Sequence, residues 1–254
     1  MYFYNSTMSI ITCKREFTLT GYRLGIELNY LNIRSLTLMF SHSNILQKYF
    51  KFISLLILIT LIPMVASAGP NDQTRWDKYY NMEEFLYGTE PIAFLRENIN
   101  LLPKNKALDL AMGEGRNGVY LATQGFDLVG LDISPIGLNK AQQLAEHNNV
   151  AIQTRLVDLE NYQLEKNSYD LIICTYYMQR DLFDQIKDSL KPGGMALIET
   201  FNTDYLKYSS FPKKYLLKHN ELLEIFKDFK VIRYQAYDDG KEAFSSIIAQ
   251  KPKL

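Results

Sequence analysis

The chain has 254 residues, with 28 Lys/Arg against 28 Asp/Glu, and its apolar (47%) and charged (22%) fractions are those of a globular protein. The zero net charge hides an asymmetry. Residues 1–68 hold six basic and two acidic groups, which leaves 22 against 26 in the rest, and a net-acidic body disfavours a phosphate backbone as partner. Two cysteines, Cys13 and Cys174, and three scattered histidines, with no CxxC or Cys/His cluster, argue against a metal site.

In chain order, residues 1–45 form an extension to which no function attaches. Residues 46–68 read as a signal peptide or a membrane anchor. Lys48 and Lys51 precede a 14-residue apolar run, Phe52 to Val65, which Ala66-Ser67-Ala68 closes. A spanning helix needs roughly 20 apolar residues, so cleavage is preferred to anchoring, and a buried helix is the third reading. Because signals begin near a start codon, Met39 is a candidate initiator. An export signal places the domain outside the cytoplasm, periplasmic or extracellular; if unused, it leaves the domain cytoplasmic. Membrane contact is expected only through residues 48–68, if they stay uncleaved.

A polar linker is expected over 69–75, and one domain over 76–254. Helical spacing covers 81–102, with a kink near Pro91. Strands are predicted at 107–111, 126–131, 151–157, 169–175 and 195–200. Helices are predicted at 116–123, 134–147, 182–190 and 221–229. Lys191-Pro-Gly-Gly194 reads as a turn, and strands 230–237 and 243–250 flank Asp238-Asp-Gly240 as a hairpin. The alternation predicts an α/β fold: a Rossmann-like, seven-stranded, mostly parallel sheet with helices on both faces and a C-terminal antiparallel hairpin.

The sharpest motif is Ala107-Leu-Asp-Leu-Ala-Met-Gly-Glu-Gly-Arg-Asn-Gly118. Three glycines follow a strand and open a helix, where free N–H groups and the helix dipole favour a polar ligand. Asp132, 19 residues after Gly113, ends the next strand, where a carboxylate can take a ribose diol. This much suits a nicotinamide dinucleotide equally, or a turn that merely packs helix on sheet. Asp109 ahead of the glycines, Asp158 after the third strand and the Lys-Pro-Gly-Gly turn shift the reading towards S-adenosylmethionine (SAM).

Trp76-Asp-Lys-Tyr-Tyr80, Tyr87-Gly-Thr-Glu-Pro91, Leu108 to Asn117, Leu131-Asp-Ile-Ser134, Leu190 to Gly194 and Leu216 to Leu222 together resemble the class I SAM-dependent methyltransferases. Within that class they are similar to the tellurite-resistance and thiopurine S-methyltransferase-like group. The resemblance covers about residues 76–251. It implies Gly113 and Gly115 along the methionine part of the cofactor, Tyr87 and Arg116 near its carboxylate, Asp132 at the ribose, and Asp158 with the Leu159 backbone at the adenine. Ile133 and Cys174 complete the implied set. Ala111 departs from the class pattern, where a glycine is common; ordinary dihedrals would make that harmless.

The expected function is methyl transfer to a small-molecule acceptor, with no nucleic-acid partner. A non-catalytic SAM- or nucleotide-binding module and a nicotinamide oxidoreductase stay as alternatives. No catalytic residue is assigned. Cys174-Thr-Tyr-Tyr-Met-Gln-Arg180, at the acceptor end, offers no carboxylate as general base, which favours a soft nucleophile: a thiol, selenium or tellurium compound. His219 reads as a surface residue, or as a base if its loop folds over the pocket. Tyr205, Tyr208, Phe211 and Tyr215 suit either a lid or an ordinary apolar loop.

Overall fold

The computed structural model describes residues 69–253, so the extension, the leader and the Met39 start all lie outside the described residues. The elements are α1 (Gly69–Tyr80), α2 (Ala93–Asn98), β1 (Lys106–Leu110), α3 (Arg116–Thr123), β2 (Asp127–Asp132), α4 (Pro135–His147), β3 (Gln153–Leu156), β4 (Tyr169–Thr175), α5 (Leu182–Ser189), β5 (Leu190–Phe201), α6 (Glu221–Ile225), β6 (Lys230–Asp238) and β7 (Ala243–Gln250). Among the described residues no helix is long and apolar enough to cross a membrane.

Seven strands form one sheet in the order β3-β2-β1-β4-β5-β7-β6. The first five run parallel, and β7 pairs antiparallel with both β5 and β6. Central parallel strands are covered on both faces, so they read as continuous apolar runs. Alternate residues feed two cores. Leu108, Leu110, Ile172, Ile198 and Cys174 pack with α5 and Phe226, while Ala107, Ile173, Leu197 and Ile248 pack with α2 and α3.

Three predicted elements differ in kind, and the helix predicted at 221–229 stops at Ile225. Residues 69–75 belong to helix α1 and not to an irregular linker: Arg75 pairs with Asp72 at 2.9 Å, and Trp76 stacks on Tyr80. Residues 81–92 are not helical, and helix begins only at Ala93. Pro91 disfavours helical geometry at Glu90. The backbone N–H groups of Leu86 and Ile92 instead donate to the Glu114 and Asn117 side chains, at 2.8 and 2.9 Å. Lys191-Pro-Gly-Gly194 is a bulge inside β5: the register jumps from Tyr169↔Leu190 to Leu171↔Met195, and Lys191 Nζ meets Asp170 at 2.7 Å.

Candidate functional site

The carboxyl ends of β1, β2, β4 and β5 carry a polar row on one face of the sheet: Asp109, Asp132, Thr175 and Glu199. Asp132 and Glu199 are 5% and 2% exposed, although strand interiors of this kind are normally apolar. Asp132 is the knot of the glycine loop. Its carboxylate accepts the N–H of Gly113 at 2.7 Å and of Ser134 at 2.8 Å. Burial pushes its pKa up, and the N–H groups of Ser134, Gly113 and Ile133 pull it back. Each carboxylate oxygen keeps a lone pair for a ligand hydroxyl. The Asp132 carbonyl accepts the N–H of Val157, which sets Asp158 and Leu159 beside it. Asp158 is half-buried and accepts from the Glu160 N–H and Asn161, while the Leu159 side chain is buried.

Asp109 lies beneath the loop at 1% exposure. Its Oδ2 has no hydrogen-bond partner, and burial followed by the neighbouring Asp132 charge raises its pKa well above the usual range. Burying a carboxylate oxygen without a strong donor is costly, and this one lies against Gly118 of α3, whose N–H pulls the pKa back down. Gly113 and Gly115 both have positive φ, +55° and +88°. A Cβ on Gly113 would lie 2.7 Å from Tyr80 Oη; one on Gly115 would strike Ala141 of α4 at 2.7 Å. Gly115 is therefore required for the packing of α3 on α4, a different duty from lining a ligand. Ala111 has φ +54°, so the expectation that ordinary dihedrals make it harmless is corrected: it holds the left-handed conformation that glycine takes at least cost.

Arg116 opens α3. Its Nη1 donates to the Tyr87 carbonyl at 3.1 Å, and its guanidinium lies between the Tyr87 and Tyr176 rings, 5.8 and 5.7 Å from their centroids. Asn117 bridges the Ile92 N–H and Thr175 Oγ1, which ties the loop to β4. Below the loop, Glu114 accepts the Leu86 N–H and pairs with Lys140, which also donates to the Met82 and Glu84 carbonyls.

Eight of the ten residues expected at the cofactor lie on the glycine loop, at the start of α3, at the ends of β1 and β2 or beside them, while the side chains of Leu159 and Cys174 pack in the core on the opposite face. Cys174 does not bring its side chain: it is 2% exposed, packed in the opposite core, with its thiol pushed upward by burial. The structure adds residues the sequence reading missed. Tyr80 is buried against Gly113 and Gly137, and Asp77 accepts a short hydrogen bond from Ser134 Oγ. Tyr80 closes the Trp76-Asp-Lys-Tyr-Tyr80 motif. Glu199 was legible as an acid inside an apolar strand. Its Oε1 accepts from Tyr176 Oη at 3.1 Å and its Oε2 from Ser246 Oγ at 2.6 Å.

On the far side of the row, Tyr176, Phe201, Tyr205, Phe211 and Tyr215 form a chain of ring contacts, with Phe201 and Tyr205 stacked at 4.1 Å. Arg180 fastens this segment through the Lys214 and Leu216 carbonyls and Glu221. His219 is exposed on Asp204, and the surface depression it helps to line shares no residue with the polar row. Among the described residues no cluster of His, Cys, Asp and Glu is suited to a metal ion.

The family model of Tellurite resistance protein TehB matches residues 73–241. The "Probable S-adenosyl-L-methionine-dependent methyltransferase TehB" of Haemophilus influenzae is 29% identical over 137 residues, 51% of this chain and 47% of that protein. A ubiquinone biosynthesis O-methyltransferase of Rickettsia akari is 32% identical over 117 residues, 42% of this chain and 45% of that protein. The chain thus spans about half the length of these curated relatives. The crystal structure of TehB from Haemophilus influenzae superposes with a TM-score of 0.55 at 23% identity, over 70% of this chain and 66% of that one, which establishes the shared Rossmann-like fold. The glycine loop, the Asp132 knot and residues 73–80 of helix α1 fall inside the matched span, and the chain belongs to the Tellurite resistance protein TehB family.

Proposed function

We propose that this domain binds SAM across the carboxyl ends of β1, β2 and β4 and catalyses methyl transfer to a small-molecule acceptor. The carrying observation is the Asp132 carboxylate bound to the Gly113 and Ser134 N–H groups, beside the unpartnered Oδ2 of Asp109. SAM, when bound, supplies an electrophilic methyl group on a sulfonium. Asp132 and Ile133 would hold the ribose, Asp158 and Leu159 the adenine, and the Arg116–Tyr87 pair the carboxylate end. The protein's main task is alignment, since the reaction is an in-line displacement. Binding of SAM and S-adenosylhomocysteine by the full chain, with NAD ignored, is the expected outcome of calorimetric titration; NAD binding without SAM would remove the reading.

For the acceptor we propose a small thiol, selenium or tellurium compound, not nucleic acid. The family's name and the net-acidic body support this. The O-methyltransferase relative favours a hydroxyl acceptor as the second reading. A panel with labelled SAM separates them: label on a hydroxyl compound and on none of the thiols, selenite or tellurite would reject the soft acceptor. For residues 46–68 we propose an export leader; mass spectrometry of the native protein should then find Gly69 at its N-terminus.

A further inference from the structure

A displacement on a neutral acceptor must also dispose of a proton. The segment 174–180 holds no carboxylate to take it, but the fold brings one from β5. Glu199 lies directly across from Thr175 in the β4–β5 register, and the Tyr176 N–H donates to the Glu199 carbonyl at 2.7 Å. Its carboxylate is 2% exposed, held between Tyr176 Oη and Ser246 Oγ. Tyr176 is 37% exposed, so it connects a buried acid to the mouth of the site. Its backbone has φ +56°, a conformation that an aromatic residue adopts only under constraint and that is concentrated at functional sites. Arg116, the first residue of the helix after the glycine loop, lies over its ring, 5.7 Å from the centroid.

We infer that Tyr176 and Glu199 form the proton-accepting couple of the acceptor side, with Tyr176 the catalytic group that touches the acceptor and Glu199 the positioning residue that takes its proton. The inference rests on the methyltransferase reading above. It restricts the acceptor to compounds that arrive protonated, such as a neutral thiol. The S–H proton passes to Tyr176 Oη while the Tyr176 proton passes to Glu199 Oε1. The acceptor sulfur forms its bond to the methyl carbon as the bond from that carbon to the sulfonium sulfur breaks. The products are a methyl thioether, S-adenosylhomocysteine and a neutral Glu199, which returns its proton to solvent through Tyr176. Burial raises the pKa of both groups: Tyr176 stays a neutral phenol that must give up its own proton to take another, and the Glu199 carboxylate becomes a better proton acceptor than an exposed one; the hydrogen bond between them lets one proton move as another leaves. Among the described residues, Tyr176 and Ser246 hydrogen-bond the Glu199 carboxylate, and the charges of Arg116 and Glu242 act on it in opposite senses.

The test compares the wild-type full chain with Glu199→Gln and Tyr176→Phe on two thiols. One is aliphatic and mostly neutral at pH 7; the other is a nitrothiophenol, already ionised there. Both variants should lose about 100-fold in kcat on the aliphatic thiol. On the ionised thiol the loss should be at least about tenfold smaller, because that acceptor brings no proton. The wild-type rate on the aliphatic thiol should fall as pH drops through the raised pKa of Glu199, and Glu199→Gln should lack that limb. Infrared titration of the protein without cofactor gives a reading free of turnover. Protonated carboxyl absorption should persist above the range of exposed acids, fed by Asp109 and Asp132 as well, and one component of it should be lost in Glu199→Gln and shift in Tyr176→Phe. Equal losses on both thiols, or none, would show a purely structural couple and overturn the inference. A wild type that binds SAM and methylates only ionised acceptors overturns it alone; one that binds no SAM removes the methyltransferase reading as well.

Discussion

Two single residues, Ala111 at the start of the glycine loop and Asp132 at the end of β2, make opposite predictions. Ala111 carries φ +54° with a Cβ. Ala111→Gly relieves a left-handed penalty of about 1–2 kcal/mol, less what glycine adds to the freedom of the unfolded chain. The expected outcome is a gain of roughly 0.5–1 kcal/mol in urea unfolding. Asp132→Ala removes the acceptor of two buried N–H groups. It should weaken SAM binding by about 1.5–3 kcal/mol and lower folding stability as well, read by calorimetry and by denaturation. Motif spacing made Asp109, Gly113 and Asp132 legible in the sequence, because a dinucleotide-type loop fixes them within one βαβ unit. It did not reveal Glu199, whose partners Tyr176 and Ser246 lie 23 and 47 residues away and meet it only through sheet pairing.

At the scale of elements, α3 and β4 match their predicted bounds because each has the local signature of its type: a glycine-opened helix in one case, a buried apolar run in the other. The failure at residues 81–92 has a physical cause. Those residues satisfy their backbone with side chains from α3 and the loop before it, a tertiary choice that no local pattern encodes. Two substitutions test how elements hold one another. Gly115→Ala meets Ala141 at 2.7 Å and adds a Cβ at φ +88°, so thermal melting should show a loss of about 2 kcal/mol or more. Lys140→Met leaves Glu114 buried without its cation and frees the Met82 and Glu84 carbonyls, at a cost of about 3–5 kcal/mol. Detachment of 81–92 should accompany that loss, visible as faster amide exchange at Leu86.

For the molecule as a whole, the buried acids set a pH dependence. Asp109, Asp132 and Glu199 all have folded pKa values raised chiefly by burial. Folding therefore takes up protons above the ordinary carboxylate range, and stability falls as pH rises from about 4 through those raised values. The protein without cofactor should melt higher at mildly acidic pH than near neutrality, and Asp109→Asn should flatten that slope. Exposed acids with lowered values, among them Asp204 and Asp238, act in the opposite sense, and only at lower pH.

Helix α1 has one further consequence. The chain contains a single tryptophan, Trp76, and its ring stacks at 5.5 Å on Tyr80, whose hydroxyl abuts Gly113. Indole emission from this protein thus has one source, and that source lies a single ring away from the glycine loop. Anything that displaces Tyr80 alters the surroundings of the only indole. The fold has in effect a built-in optical probe, and a ligand entering the loop should register as a change in tryptophan fluorescence with no label attached.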